Sequence, residues 1–153
     1  MDTNIFSIES HTQERIRMAK ILGKNFLFPT IYTDSRTIKK IYNDFHCKTD
    51  FPCLYMIGQT SFENREQKYF IKVGKTTNID KRMKTYKHSN PSLELFGLCA
   101  VARVRKYLSK SEKEWHGYFY YFGLRVGKTE WVEVSKDFYE FFKTYGFSQI
   151  KMY

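Results

Sequence analysis

One stretch in the middle of the chain restricts the possible folds more than any other. Residues 53–59 (CLYMIGQ) and 69–74 (YFIKVG) are short and apolar, and each has a glycine at or near its end. Such runs, bounded by polar residues, predict β-strands that pair as a hairpin. A helix is expected over residues 78–88, because asparagine caps its start and Asn90-Pro91 ends it. The stretch is therefore predicted to form two strands, a glycine turn and a helix.

The next elements follow from the same kinds of pattern. Residues 60–68 are polar, which predicts a long loop inside the hairpin. Residues 93–105 are rich in leucine, valine and alanine and are interpreted as a third, central strand. Either Ser109 or Ser111 is expected to cap a helix that runs to about Phe122.

The C-terminal part completes a small α+β domain. A short strand is predicted over residues 130–134, and a last helix from Ser135 to Gly146. The resulting β-β-α-β-α order predicts a three-stranded mixed sheet flanked by helices, with a domain over residues 51–153. Residues 1–50 are interpreted as an N-terminal helical extension, with one helix from Thr12 to Gly23 and another that begins at Asp34.

Composition narrows the class of protein. The chain has 153 residues, of which 42% are hydrophobic, so one domain with a buried core is expected and disorder is not. No apolar run is long enough to span a bilayer. Residues 1–4 lack the charged-then-apolar layout of a signal peptide. We therefore expect an intracellular location, in the cytoplasm or a host nucleus, and no secretion.

The charge of the chain indicates a polyanionic partner. Lysine and arginine number 26 against 16 acidic residues, which gives a formal net charge of +10. Such an excess on one small domain attracts nucleic acid or an anionic membrane surface. No segment combines a basic face with a clean apolar face, as an interfacial helix would. DNA is therefore the expected partner, and a membrane is not.

The cysteines favour reduced, buried thiols. Cys47, Cys53 and Cys99 are odd in number and form no CxxC pair, so a disulfide framework is not expected. A zinc site built from His46, Cys47 and Cys53 is the alternative. It lacks the paired ligand spacing of structural zinc sites.

The motifs in the middle of the chain resemble those of a known nuclease family. Cys53-Leu54-Tyr55 is similar to the first motif of the GIY-YIG nucleases, and Lys72-Val73-Gly74 to the second. The resemblance spans about residues 53–134 and is closest to the phage or large-virus subgroup, which has lysine in the second motif. It implies the GIY-YIG fold, a viral or phage protein, and a metal-dependent DNA endonuclease that uses Mg²⁺ or Mn²⁺.

The resemblance assigns roles to residues of the two strands. Tyr55 would orient or deprotonate the attacking water, although a buried strand aromatic is the alternative interpretation. Lys72 would stand beside that hydroxyl and lower its pKa. The turn Gly74-Lys75-Thr76 would approach a phosphate, since glycine lets the backbone come close and the lysine supplies charge.

The helix that follows carries further candidates. Arg82 lies eight residues after Gly74, the offset at which the family's arginine contacts the scissile phosphate. Tyr86 falls on the same helix face one turn later, and His88 is a second choice for its role. As a core aromatic, Tyr86 would need no function.

The expected metal ligand is Glu112. The stretch 111–116 resembles the family's third-motif helix, in which a glutamate precedes a histidine by four residues, here His116. A carboxylate is the hard oxygen donor that Mg²⁺ prefers. Glu114 is the competitor and points to another side of the helix, while Glu130 is expected to support the fold or touch the site.

The remaining expectations concern binding and assembly. Basic residues of the N-terminal helices, namely Arg15, Arg17, Lys39 and Lys40, would contact the DNA backbone without reading sequence. A homodimer is possible, because one site cuts one strand. The alternative function is a nucleic-acid-binding module on the same fold that does not cut. A weaker one is an interaction protein whose charge only keeps it in solution.

Overall fold

The structure is a computed structural model that describes residues 7–21, 50–100 and 105–147. Within these residues the helices are α1 (Ile8–Ile21), α2 (Ile79–Ser89), α3 (Arg105–Phe122) and α4 (Lys136–Tyr145). The strands are β1 (Asp50–Glu63), β2 (Glu66–Asn78), β3 (Glu94–Ala100), β4 (Leu124–Arg125) and β5 (Val132–Val134). The predicted α+β class is confirmed.

The sheet is larger than predicted and has a different arrangement. It has five strands in the order β3-β1-β2-β5-β4, not three. Every neighbouring pair is antiparallel, so the sheet is not mixed. The third strand, β3, lies at an edge and not in the centre, because it pairs with β1 alone among the described strands. The central position belongs to β2, which has β1 on one side and β5 on the other.

The predicted long loop inside the hairpin is wrong. β1 and β2 remain paired to the register Glu63↔Glu66, which leaves a two-residue turn. Both turn residues have positive φ, 51° at Asn64 and 63° at Arg65. This is the backbone that tight hairpins adopt, because its twist matches that of the flanking strands. The polar residues predicted as a loop are instead an exposed extension of the two strands.

Capping residues set the ends of two helices where the sequence predicted them. The Asn78 side chain accepts a hydrogen bond from the backbone N–H of Lys81, at the start of α2. Ser135 likewise accepts one from the N–H of Phe138 at the start of α4, and Gly146 caps its end. The helix α3 begins at Arg105, before the predicted serine caps, so Ser109 and Ser111 lie inside it.

The N-terminal helix begins earlier than predicted. Ser7 caps α1, since its hydroxyl accepts a hydrogen bond from the N–H of Ser10 at 3.0 Å. Thr12 is therefore inside the helix and is not its cap. Its buried hydroxyl lies 2.8 Å from the Ile8 carbonyl and 3.0 Å from that of Phe122, which ties α1 to the end of α3. The second predicted N-terminal helix lies outside the described residues, and so do Lys39, Lys40, His46 and Cys47. The domain boundary at residue 50 stays a prediction.

Two sets of buried side chains cover opposite faces of the sheet, as the alternation of side chains along a strand requires. The first set lies against α3 and α4 and takes Leu54, Met56, Ile71 and Val73 from the sheet. The second set lies against α2 and contains Cys53, Tyr55, Ile57, Ile79, Met83 and Leu93. Burial raises the pKa of the Cys53 thiol to about 12, which fits its interpretation as a structural cysteine. None of the described helices is long and apolar enough to cross a membrane.

Candidate active site and metal centre

The candidate site lies where β5 stops pairing with β2. Three residues of β2 pair with β5, the last of them Ile71, whereas β2 continues to Asn78. Beyond that point the Val73 carbonyl lies 2.6 Å from Nε2 of His116, which reaches it from α3. Glu130 lies two residues before β5 and so comes to the same place. This gap beside β2, which we call the β2 notch, brings together side chains from β2, α3 and the segment before β5.

Two tyrosines and a lysine form a hydrogen-bonded group beside the notch. The hydroxyls of Tyr55, on β1, and Tyr86, on α2, are 2.8 Å apart. Lys72 of β2 donates a hydrogen bond from Nζ to the Tyr86 hydroxyl at 2.7 Å. Three residues that the sequence singled out separately are therefore in contact.

Tyr55 is the inner member of this group. Its side chain is 1% exposed, and burial followed by the hydrogen bond to Tyr86 raises the pKa of Tyr55 above its ordinary value. The positive charge of Arg82 acts in the opposite direction without outweighing burial. The expectation that lysine lowers the pKa of Tyr55 is therefore wrong. Lys72 instead donates to the hydroxyl of Tyr86, a residue of intermediate burial.

Gly74 makes the position of Tyr55 possible. The two residues are direct partners in the β1–β2 register, and a Cβ at Gly74 would collide with the ring and the hydroxyl of Tyr55. The absent side chain thus leaves room for the phenol to cross the strand. Approach of this glycine to a phosphate stays a prediction.

Three other candidates, Thr76, Arg82 and His88, are not members of the hydrogen-bonded group of tyrosines and lysine. The Thr76 hydroxyl accepts from the N–H of Asn78 at 3.1 Å, so it supports the start of α2. Arg82 and His88 are exposed on α2, and Arg82 lies one turn before Tyr86. Neither makes a hydrogen bond or an ion pair within the described part of the chain. Both side chains are open to a ligand.

Two carboxylates and an imidazole meet in the notch. Glu112 and His116 of α3 and Glu130 each offer a ligand atom, and these atoms all lie within 4.8 Å of one another. The side chain of Glu112 is 15% exposed and that of Glu130 is 44% exposed. Glu114 is not a member of this group. The group has the donor types of a divalent-metal site.

Each carboxylate of the group faces a lysine. Lys75 Nζ lies 3.7 Å from Glu112 Oε1 and donates a hydrogen bond to the Ser109 hydroxyl at 2.9 Å. Lys72 Nζ lies 3.5 Å from Glu130 Oε2. Lys72 also donates to Tyr86, so it connects the two tyrosines to the cluster of two carboxylates and an imidazole.

The orientation of His116 leaves one nitrogen available. A carbonyl oxygen only accepts hydrogen bonds, so the contact with Val73 requires the proton to sit on Nε2. The lone pair is then on Nδ1. The ring also stacks on Tyr120, at a centroid distance of 5.8 Å and an interplanar angle of 26°. Two partners therefore fix the imidazole, as is usual for a metal-binding histidine.

Two residues of this cluster, His116 and Glu130, were not predicted to bind metal. Only Glu112 was expected to bind metal, although the four-residue spacing to His116 already indicated a shared helix face. Glu130 carried a weaker signal, since its place depends on how β5 pairs with β2.

The fold and this site define a small α+β domain in which a phenol–lysine group adjoins a carboxylate–imidazole group. Residues 52–143 match the T5orf172 domain, and the chain belongs to that family. The domain is phage-associated and related to nuclease-like folds of the GIY-YIG type. Comparison with curated proteins and with solved structures found no match.

We expect Gly74→Ala to destabilise the protein, because the added Cβ collides with the Tyr55 ring. The free energy of unfolding should fall by about 1–3 kcal/mol in urea denaturation. Gly117→Ala is the matched control, since a Cβ on this exposed helical glycine meets nothing within 4 Å. It should raise the stability by about 0.5–1 kcal/mol. Equal stability of Gly74→Ala and the wild type would contradict the packing described for Tyr55.

Alkaline pH should destabilise the protein through its buried tyrosines. Burial raises the pKa of Tyr55 and of Tyr118, and that of Tyr139 to about 12. The native state then holds these protons more tightly than the unfolded chain does. The free energy of unfolding therefore falls as the pH rises past the ordinary tyrosine pKa of about 10.

Tyr55→Phe removes one of these protons and should make the decline with pH shallower. Urea denaturation between about pH 8 and about pH 11 measures the slope for both proteins. A slope identical to that of the wild type would mean that Tyr55 titrates normally in the folded state.

Proposed function

We propose that this chain is a metal-dependent DNA endonuclease that hydrolyses phosphodiester bonds by a GIY-YIG-type mechanism. The observation that carries the proposal is that Lys72 contacts both Tyr86 and Glu130. Its ammonium group donates to the Tyr86 hydroxyl and lies 3.5 Å from Glu130, so a proton-handling group and a candidate metal centre share one residue. Membership in a nuclease-related domain family supports the same interpretation.

Tyr86 is the proposed contact with the attacking water. Hydrolysis needs a group that orients water and accepts its proton. Tyr86 is a partly exposed residue, whereas Tyr55 is 1% exposed. Lys72 and Tyr55 both hold the Tyr86 oxygen, at 2.7 Å and 2.8 Å. Tyr55 thus acts as a positioning residue, and Lys72 stabilises negative charge that develops on the Tyr86 oxygen.

Arg82 is the proposed phosphate ligand. Its guanidinium is exposed, and it lies one turn before Tyr86 on the same side of α2. A planar fork of donors can bind two phosphate oxygens at once and stabilise the charge that develops on them. The two residues would therefore hold the phosphate and the water next to each other.

The divalent ion that the fold family implies, Mg²⁺ or Mn²⁺, fits the donors in the notch. Glu112 is the least exposed carboxylate of the group and is the proposed principal ligand. A bound ion would supply Lewis-acid stabilisation of the phosphoryl oxygens. Lys75, released from Glu112, would remain beside the site to contact a neighbouring phosphate.

Electrostatic attraction would bring DNA to this surface. The chain carries a formal charge of +10, and α2 exposes Lys81, Lys84 and Lys87 besides Arg82. Such contacts bind the backbone without reading sequence. One site cuts one strand, so a double-strand break would take a homodimer or two successive events.

Cleavage of supercoiled plasmid with Mg²⁺ or Mn²⁺ tests the proposal. Glu112→Gln should abolish metal-dependent nicking, and Arg82→Ala should slow it by about 100-fold or more. Two charged residues away from the site serve as controls. Glu140→Gln and Lys143→Ala, both exposed on α4, should cut at close to the wild-type rate.

A gel-shift assay on the same plasmid separates the two candidate functions. Glu112→Gln should still bind DNA, because the basic surface is unchanged. If the wild type shifts DNA but does not cut it with either metal, on plasmid or branched substrates, the chain is a non-catalytic binding module.

A further inference from the structure

We propose that Glu112, His116 and Glu130 together form one metal centre that prefers a first-row transition-metal ion such as Mn²⁺ to Mg²⁺. The inference rests on the proposed function for the role of the ion, but it concerns residues beyond the single predicted ligand. One ligand atom from each of the three lies within 4.8 Å of the other two, so the three side chains surround one position.

The preference for Mn²⁺ over Mg²⁺ follows from the types of ligand atom in the centre. Mg²⁺ takes oxygen ligands in near-ideal octahedral geometry and gives up its water reluctantly. An imidazole nitrogen instead favours first-row transition metals, whose affinities for nitrogen donors exceed that of Mg²⁺. One nitrogen and two carboxylates therefore select Mn²⁺ over Mg²⁺ more strongly than a lone glutamate would.

The hydrogen bond of His116 to the backbone is of the kind that metal-binding histidines make. Its Nε2–H donates to the Val73 carbonyl at 2.6 Å, which leaves the Nδ1 lone pair available. That carbonyl belongs to β2 beyond the last residue paired with β5, so the fold itself provides the acceptor. A backbone acceptor of this kind orients a metal-binding histidine and raises its basicity.

The two lysines indicate that the notch attracts positive charge. Lys75 lies 3.7 Å from Glu112, and Lys72 lies 3.5 Å from Glu130. Each ammonium occupies the place near a carboxylate that a cation would take. A metal ion must therefore compete with Lys75 for Glu112, and removal of this lysine should strengthen metal binding.

Binding of Mn²⁺ to the full chain, followed through the EPR signal of free Mn²⁺ without DNA, tests the centre. The wild type should bind Mn²⁺ at least about ten-fold more tightly than Mg²⁺, with Mg²⁺ measured by competition. Glu130→Gln should weaken Mn²⁺ binding by about ten-fold or more. Lys75→Met should strengthen it. Glu140→Gln, on an exposed part of α4, should leave it unchanged.

His116→Gln isolates the nitrogen ligand. A glutamine amide can still donate to the Val73 carbonyl, so the helix keeps its contact with β2 while the Nδ1 lone pair is lost. We expect this variant to lose most of the preference for Mn²⁺ over Mg²⁺. Circular dichroism checks that His116→Gln folds. Glu130→Gln is the second variant, at a side chain that is 44% exposed and so lies outside the core.

The outcomes separate this inference from the proposed function. If Glu130→Gln and His116→Gln bind Mn²⁺ as the wild type does, the three-ligand centre is overturned, even when the plasmid is cut. If Mn²⁺ binds with the expected preference and the variants weaken it, the centre stands. Absence of plasmid cleavage in that case overturns only the nuclease proposal.

Discussion

The close approach of Tyr55 to Gly74 is the contact on which the candidate site depends. These residues face each other across the central hairpin, and the phenol crosses β2 only because the glycine has no side chain. The ring then places its hydroxyl 2.8 Å from that of Tyr86, in a position where the pKa of Tyr55 is raised by burial. A side chain at residue 74 would displace the inner phenol and with it the group that holds Tyr86.

Charged side chains connect the hydrogen-bonded tyrosines to the carboxylates of the β2 notch. Lys72 contacts both Tyr86 and Glu130, and Lys75 contacts both Glu112 and Ser109. Two lysines on one strand thus balance two carboxylates from separate segments. The short strand β5 is what allows this, because it leaves the distal part of β2 open to α3. A longer β5 would pair with the backbone around Val73, and His116 would lose its acceptor.

Sequence predicted the features that depend on local chemistry and missed those that depend on pairing between distant segments. The caps Asn78 and Ser135 act within one turn of their helices, so α2 and α4 were located correctly. The hairpin turn was missed because Arg65 adopts a positive φ without being a glycine. The edge position of β3 and the arrival of Glu130 beside Glu112 follow from strand pairing, which no local pattern encodes. The hydrogen bond between Tyr55 and Tyr86 could not be predicted for the same reason, since the two residues lie on separate elements.

In the proposed mechanism Tyr86, and not the buried Tyr55, contacts the attacking water. The most direct measurement is the single-turnover cleavage rate of Tyr86→Phe compared with that of Tyr55→Phe, on the same DNA and with saturating metal. Tyr86→Phe should lose about 100-fold or more in rate, because it removes the group that handles the proton. Tyr55→Phe should lose much less, since it removes only a supporting hydrogen bond. A large loss in Tyr55→Phe with a near-normal rate in Tyr86→Phe would mean that Tyr55 handles the proton and that the roles proposed for the two tyrosines are wrong.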